Sequence, residues 1–153
     1  MGRVGDRTMA NLIEININEI FKTNQDVRNW LLENPRELED ALNIELVNIG
    51  HHSIIPDEVR PDIYAEENMS HNKVIVMINL DEPTDEDFKN LLAIAAGNNA
   101  NKAVWLVKSL DDKTRYILNW LNERAGWKTE FIVMKVEAYK INDSLPAVKL
   151  VRI

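Results

Sequence analysis

Residues 60–80 read R-P-D-I-Y-A-E-E-N-M-S-H-N-K-V-I-V-M-I-N-L, and this stretch decides the fold. Arg60 to Ala65 has the composition of a strand entered through Pro61, with Asp62 near its start. Glu66 to Asn72 is polar and reads as a turn. Val74 to Leu80 is apolar at consecutive positions, which predicts a strand buried on both faces and central in its sheet.

Outward from there, the punctuation is clear. Asp81 to Asp87 is acidic and ends in a helix start, with Thr84 as cap and Asp87 at the capping-box position. Phe88, Leu91, Leu92, Ala95 and Ala96 then recur at helical spacing, and Gly97-Asn98-Asn99 reads as the stop. Ala103 to Val107 is a second buried strand. The crossover from the central strand through the 84–97 helix to residues 103–107 is expected to form a right-handed parallel βαβ unit. Asp111 or Asp112 caps a further helix carrying Ile117, Leu118, Trp120 and Leu121 and closing at Ala125-Gly126. Phe131 to Tyr139 and Ala147 to Ile153 are strands joined by Asn142-Asp143-Ser144, an expected C-terminal β-hairpin.

Toward the N-terminus, Asp26 is a fair cap for a helix that buries Val27, Trp30 and Leu31. Asn34-Pro35 interrupts it, and a second helix buries Leu38, Ala41 and Leu42. Ile44, Leu46, Val47 and Ile49 outline a strand ended by Gly50. Leu12 to Ile17 is a short edge strand or the lead-in to a helix. Residues 1–10 lack periodicity and are expected to be a flexible tail ahead of one domain spanning 11–153. The fold class is therefore α/β, a mixed central sheet flanked by helices.

Composition narrows function. The chain of 153 residues is 45% apolar and carries 25 acidic against 18 basic side chains, a net charge of −7. That field repels nucleic acid held through phosphates alone. With no cysteine, disulfides, thiolate zinc sites and cysteine nucleophiles are excluded, and a reducing cytoplasm is the expected compartment. No charged-then-apolar leader opens the chain, and no apolar run is long enough to span a membrane. His51 and His52, as neighbours on an extended chain, point to opposite faces and suit one metal poorly. The five glycines form neither a P-loop nor a dinucleotide fingerprint.

Several segments then fall in a recognisable order: W-L-L-E-N at 30–34, R-P-D-I at 60–63, L-L-A-I-A-A-G at 91–97, A-V-W-L at 103–106, L-N-W-L-N-E at 118–123 and I-N-D-S-L-P-A at 141–147. Over residues 12–153 the chain resembles an uncharacterised bacterial and archaeal family of restriction-endonuclease-like proteins in the PD-(D/E)XK nuclease superfamily. The resemblance implies a restriction-endonuclease-like core. It also implies an Asp at the start of one strand and a Glu-x-Lys on the next, whose carboxylates hold Mg²⁺ and activate water for attack on a phosphodiester.

Asp62 matches the first position, but Met77 and Asn79 occupy the other two. Their parity is right, since both lie on one face of the strand. Their chemistry is not: a thioether is a soft, weak donor that Mg²⁺ does not select, and an amide carries no charge. Three functions follow from this. One is a catalytically degenerate nuclease fold serving as a binding or regulatory module in nucleic-acid metabolism or defence, with a nucleic acid or a protein as partner and no cofactor. Another is an active Mg²⁺-dependent endonuclease in which Asp85 or Glu86 supplies the missing carboxylate, Lys89 the missing cation, and Glu33 or Glu39 a further acid. The last is an oligomer-forming domain, such as a homodimer, built on an edge strand or an exposed tryptophan, Trp127 foremost. The plainer roles are helix N-terminal electrostatics for Asp85 and Glu86, and core filling for Met77.

Overall fold

A computed structural model describes residues 10–50, 55–124 and 128–153. The expected tail at 1–10, apart from Ala10, lies outside the described residues, as do His51, His52 and the Ala125-Gly126-Trp127 helix end.

The chain folds as an α/β structure on a seven-stranded mixed sheet. Strand β1 is Leu12–Ile15; a 3-10 turn at Ile17–Glu19 leads to helices α1 (Asn24–Glu33) and α2 (Pro35–Leu42). Then come β2 (Leu46–Val47), β3 (Ile63–Glu67), β4 (Lys73–Asn79), α3 (Asp85–Asn98) and β5 (Lys102–Val107). Helix α4 (Asp112–Glu123), β6 (Glu130–Ile141) and β7 (Ala147–Arg152) complete it.

The strand order is β1-β6-β5-β4-β3-β2, with β7 also on β6. Strands β2, β3 and β4 form an antiparallel meander, whereas β4, β5 and β6 run parallel through the α3 and α4 crossovers. The expected βαβ pairing is thus present, and β7 returns antiparallel on β6 as the C-terminal hairpin. Ala138 and Tyr139 pair with both β1 and β7, so those strands occupy opposite edges of β6. Met134 and Lys135 pair with both β5 and β7. It follows that β5 and β1 share one edge of β6, end to end.

Burial explains the sheet's central position. Val74 through Ile78 of β4 and Ala103 through Val107 of β5 are all buried, and their side chains alternate between two cores. Val76, Ile78, Val104 and Leu106 meet Val27, Leu31, Leu38 and Leu42 from α1 and α2. On the opposite face, Ile75, Met77, Trp105 and Val107 meet Leu91, Ile94 and Ala95 of α3 and Leu118 of α4.

Several boundaries differ from the sequence reading. Helix α1 is capped by Thr23, and Asp26 is the N3 partner of its capping box. A carboxylate three residues into a helix closes the box from the other side, so Asp26 contributes to the cap without being it. Strand β2 keeps only Leu46 and Val47 of the longer stretch expected. The Thr84–Asp87 box forms as read, but α3 continues through Gly97 and stops when Asn99 turns left-handed at φ 51°. Gly97 serves packing instead: a Cβ there would lie 2.6 Å from Val59 Cβ. In the same helix Ile94 is buried and Ala96 exposed, a rotation of the apolar stripe by part of a turn. Asp111 caps α4, whose described helix ends at Glu123. Its Asn122 exchanges two 2.8 Å hydrogen bonds with the Phe131 backbone, clamping α4 to β6. Of the apolar residues this helix carries, Ile117 and Trp120 are 45% and 54% exposed, while Leu118 is buried.

Candidate functional site

The site grows from an inequality in strand length. Strand β4 outlasts β3, which begins only at Ile63, three residues later than the Arg60 start expected. The even-numbered N–H groups of β4 face β3, so those past the end of β3 need other acceptors. Asp62 and Asn24 provide them. The Asp62 N–H donates to the Val76 carbonyl at 3.0 Å, and Asp62 Oδ2 accepts the Ile78 N–H at 2.7 Å. Asn24 Oδ1, at the first residue of α1, accepts the Leu80 N–H at 2.8 Å. Arg28, one turn further along α1, donates from Nε to the Asp62 carbonyl at 2.7 Å.

The Asp62 N–H reaches the carbonyl of Val76, the residue that Ile63 pairs with, so the regular register ends at Ile63 and Asp62 lies against Val76 to Ile78 of β4. The carboxylate thus binds the backbone of Ile78, the residue between Met77 and Asn79. Burial pushes the Asp62 carboxyl above its ordinary value, while the Ile78 hydrogen bond and the Arg28 charge pull the other way. Met77 is buried in the core shared with Leu91 and Trp105. Asn79 is committed to structure too: its Oδ1 accepts the Trp105 Nε1–H at 2.7 Å. Trp105 is fully buried and stacks on Phe88 of α3 with centroids 6.1 Å apart. Asn79 thus satisfies an indole donor that would otherwise be buried without a partner.

The remaining candidates take other parts. Asp85, Glu86 and Lys89 lie exposed on the first turns of α3, with the two acids at the positive end of the helix dipole. Glu33 is exposed at the end of α1. Glu39 Oε2 accepts the Leu46 N–H at 2.9 Å and holds the start of β2. Among the described residues, no three His, Asp or Glu side chains come together as a metal site requires. Mg²⁺ takes hard oxygen donors in octahedral array. With one Asp62 oxygen bound to a backbone N–H, Met77 a buried thioether and the Asn79 carbonyl engaged by an indole, this end of the sheet does not fit that ion.

The residues that sequence reasoning missed are Asn24, Arg28 and Trp105, which hold the Asp62–Asn79 end of β4 from either face. No local pattern marks them, because each acts across a long sequence separation. Beside them, the C-terminal ends of β5 and β1 flank a cleft of about 340 Å³ lined by Glu14, Lys108, Lys135 and Glu137. Lys108 Nζ donates to Asn18 Oδ1 at 2.8 Å, and Lys135 pairs with Glu137 at 3.4 Å. Asn79, Val107 and Lys135 fall in one row across β4, β5 and β6, so the cleft adjoins the Asp62 end of the sheet. Comparison with family profiles, with curated proteins and with solved structures finds no match to this chain.

Proposed function

We propose that this chain is a catalytically degenerate PD-(D/E)XK-type nuclease fold, used as a binding or regulatory module in nucleic-acid metabolism or defence. One observation carries the reading: Asp62 Oδ2 is engaged by the Ile78 N–H, Asn79 Oδ1 by the Trp105 indole, and Met77 is buried in the core. The element order supports it. A helix pair, an antiparallel β2–β3–β4 meander, α3 and a β5 parallel to β4 follow the succession expected of that core. A working metal site needs the Asp62 position joined by a second carboxylate and a cation. Here the strand supplies packing and amide chemistry in their place.

The test is calorimetric titration of Mg²⁺ and Mn²⁺ into the wild-type chain and into Asp62→Ala, alongside incubation of both with DNA and RNA. The expected result is no metal-binding heat and no cleavage from either protein. Cleavage by the wild type that disappears in Asp62→Ala would establish an enzyme and overturn the proposal.

A further inference from the structure

Strands β5 and β1 occupy the same edge of β6, and their carboxyl ends point at each other. Val107 of β5 pairs with Lys135 and Ile15 of β1 with Ala138, so Val136 and Glu137 lie between the two ends. From this point the two connections leave on opposite faces of the sheet. The chain after β5 passes through Leu110 to α4, in the core of Leu91 and Trp105. The chain after β1 passes through Ile17 and Phe21 to α1, in the other core. Where neighbouring connections diverge in this way, the carboxyl ends of the strands bound a crevice, and open α/β sheets take small ligands there. The cleft of about 340 Å³ lies at that position, at the small end of the roughly 300–1,000 Å³ range of ligand pockets.

The lining of the cleft suits one kind of ligand. Its charged residues are two lysines, Lys108 and Lys135, and two glutamates, Glu14 and Glu137, beside the buried apolar Ile17 and Val136. Both lysines are held from the protein side, Lys108 Nζ by Asn18 Oδ1 at 2.8 Å and Lys135 Nζ by Glu137 Oε2 at 3.4 Å. Glu137 is itself fixed by the Tyr139 hydroxyl, which donates to Oε1 at 2.7 Å. Each of these lysine contacts uses one of an ammonium's three donors, which leaves donors for a ligand acceptor. A simple anion would meet the two glutamates as well as the lysines, and a simple cation the reverse. A ligand that carries both charges on a short frame matches both pairs. We propose that this cleft binds a small zwitterion of the α-amino-acid class, its carboxylate taken by Lys108 and Lys135 and its ammonium by Glu14. This inference is independent of the reading of the Asp62 site, because neither Asp62, Met77 nor Asn79 lines the cleft.

Titration of the standard L-α-amino acids, each up to about 10 mM, tests it by nitrogen–proton NMR correlation spectra of the full chain. At least one is expected to shift the amide signals of residues 14–17, 108–109 and 135–137 in a saturable way. Its N-acetyl and methyl-ester forms, which each lack one charge, are expected to bind more weakly by about tenfold or more, as loss of a charge-assisted hydrogen bond implies. Lys108→Gln and Glu14→Gln are each expected to weaken the free amino acid by a similar factor. Glu14 is exposed on β1, so Glu14→Gln keeps the test decisive even where Lys108→Gln fails to fold. The N-acetyl form, with no ammonium for Glu14 to hold, should bind Glu14→Gln as it binds the wild type. Four outcomes overturn the proposal: no amino acid shifts these signals, the shifts fall only on other residues, the N-acetyl and ester forms bind as tightly as the free amino acid, or inorganic phosphate or an oligothymidylate occupies the cleft while amino acids do not.

Discussion

The Asp62 carboxylate stands where a backbone carbonyl of β3 would stand if that strand began two residues earlier: it takes the Ile78 N–H at 2.7 Å while its own N–H reaches Val76. Asp62→Ala leaves that partly buried N–H without an acceptor and is expected to cost about 1–3 kcal/mol in urea unfolding. Asp62→Asn, which retains an acceptor, is expected to cost less. The pH dependence has a definite sign. Because burial raises the folded-state value above 3.8, the folded chain holds more protons than the unfolded one between the two values. The stability Asp62 contributes is complete below 3.8 and is lost as pH rises through the folded value. The advantage of wild type over Asp62→Asn should therefore shrink from acid toward neutral pH.

The same relationship shows what was legible in the sequence. The meander, the βαβ unit and the Thr84 cap were readable because each rests on local chemistry: a continuous apolar run, a turn, a capping pair. The shared face of Met77 and Asn79 was readable through parity alone. What was hidden depends on long-range geometry. Nothing near Asp62 reveals that β3 starts late and converts its carboxylate into a ladder acceptor. Nor does α4 reveal its buried side, since Tyr116, Ile117, Leu118, Trp120 and Leu121 are apolar around more than half of its circumference and only packing selects among them.

Restoring the expected strand chemistry tests the scaffold directly. Met77→Glu places a carboxylate in a core position beside Leu91 and Trp105 and is expected to destabilise the chain by at least about 2 kcal/mol without metal. In Met77→Glu/Asn79→Lys, Mn²⁺ is expected to raise the melting temperature by stabilising the folded state alone. Adding Asp62→Ala should abolish that response. A response to Mn²⁺ that survives Asp62→Ala would show that the ion binds elsewhere.

Gly97 is fixed by a neighbour rather than by its backbone angles. Gly97→Ala drives a Cβ against all three side-chain carbons of Val59 and is expected to cost about 1–3 kcal/mol by overpacking. Val59→Ala in the same background should recover part of that loss, an interaction a double-mutant cycle in denaturant measures.

Tyr139 offers a spectroscopic check on the polar face of β6. Its hydroxyl donates to Glu137 at 2.7 Å, and that bond heads the causes that push its ionisation up to about 12. Glu137→Gln removes the carboxylate, so phenolate absorbance in an alkaline titration should develop at lower pH than in the wild type. An unchanged curve would mean that the hydrogen bond does not hold in solution.

The shared edge of β6 constrains how the chain is assembled. Strand β1 lies far upstream of its partner residues, Ala138 to Ile141, and Asn142 closes back on Asn11. During synthesis β1 must wait for its partner until β6 has emerged. Closing so long a loop carries an entropic cost before any contact rewards it. Docking of β1 is therefore a late event in folding. A nascent chain stalled short of β6 would carry β1 with no place to bind, open to chaperones and to neighbouring ribosomal products.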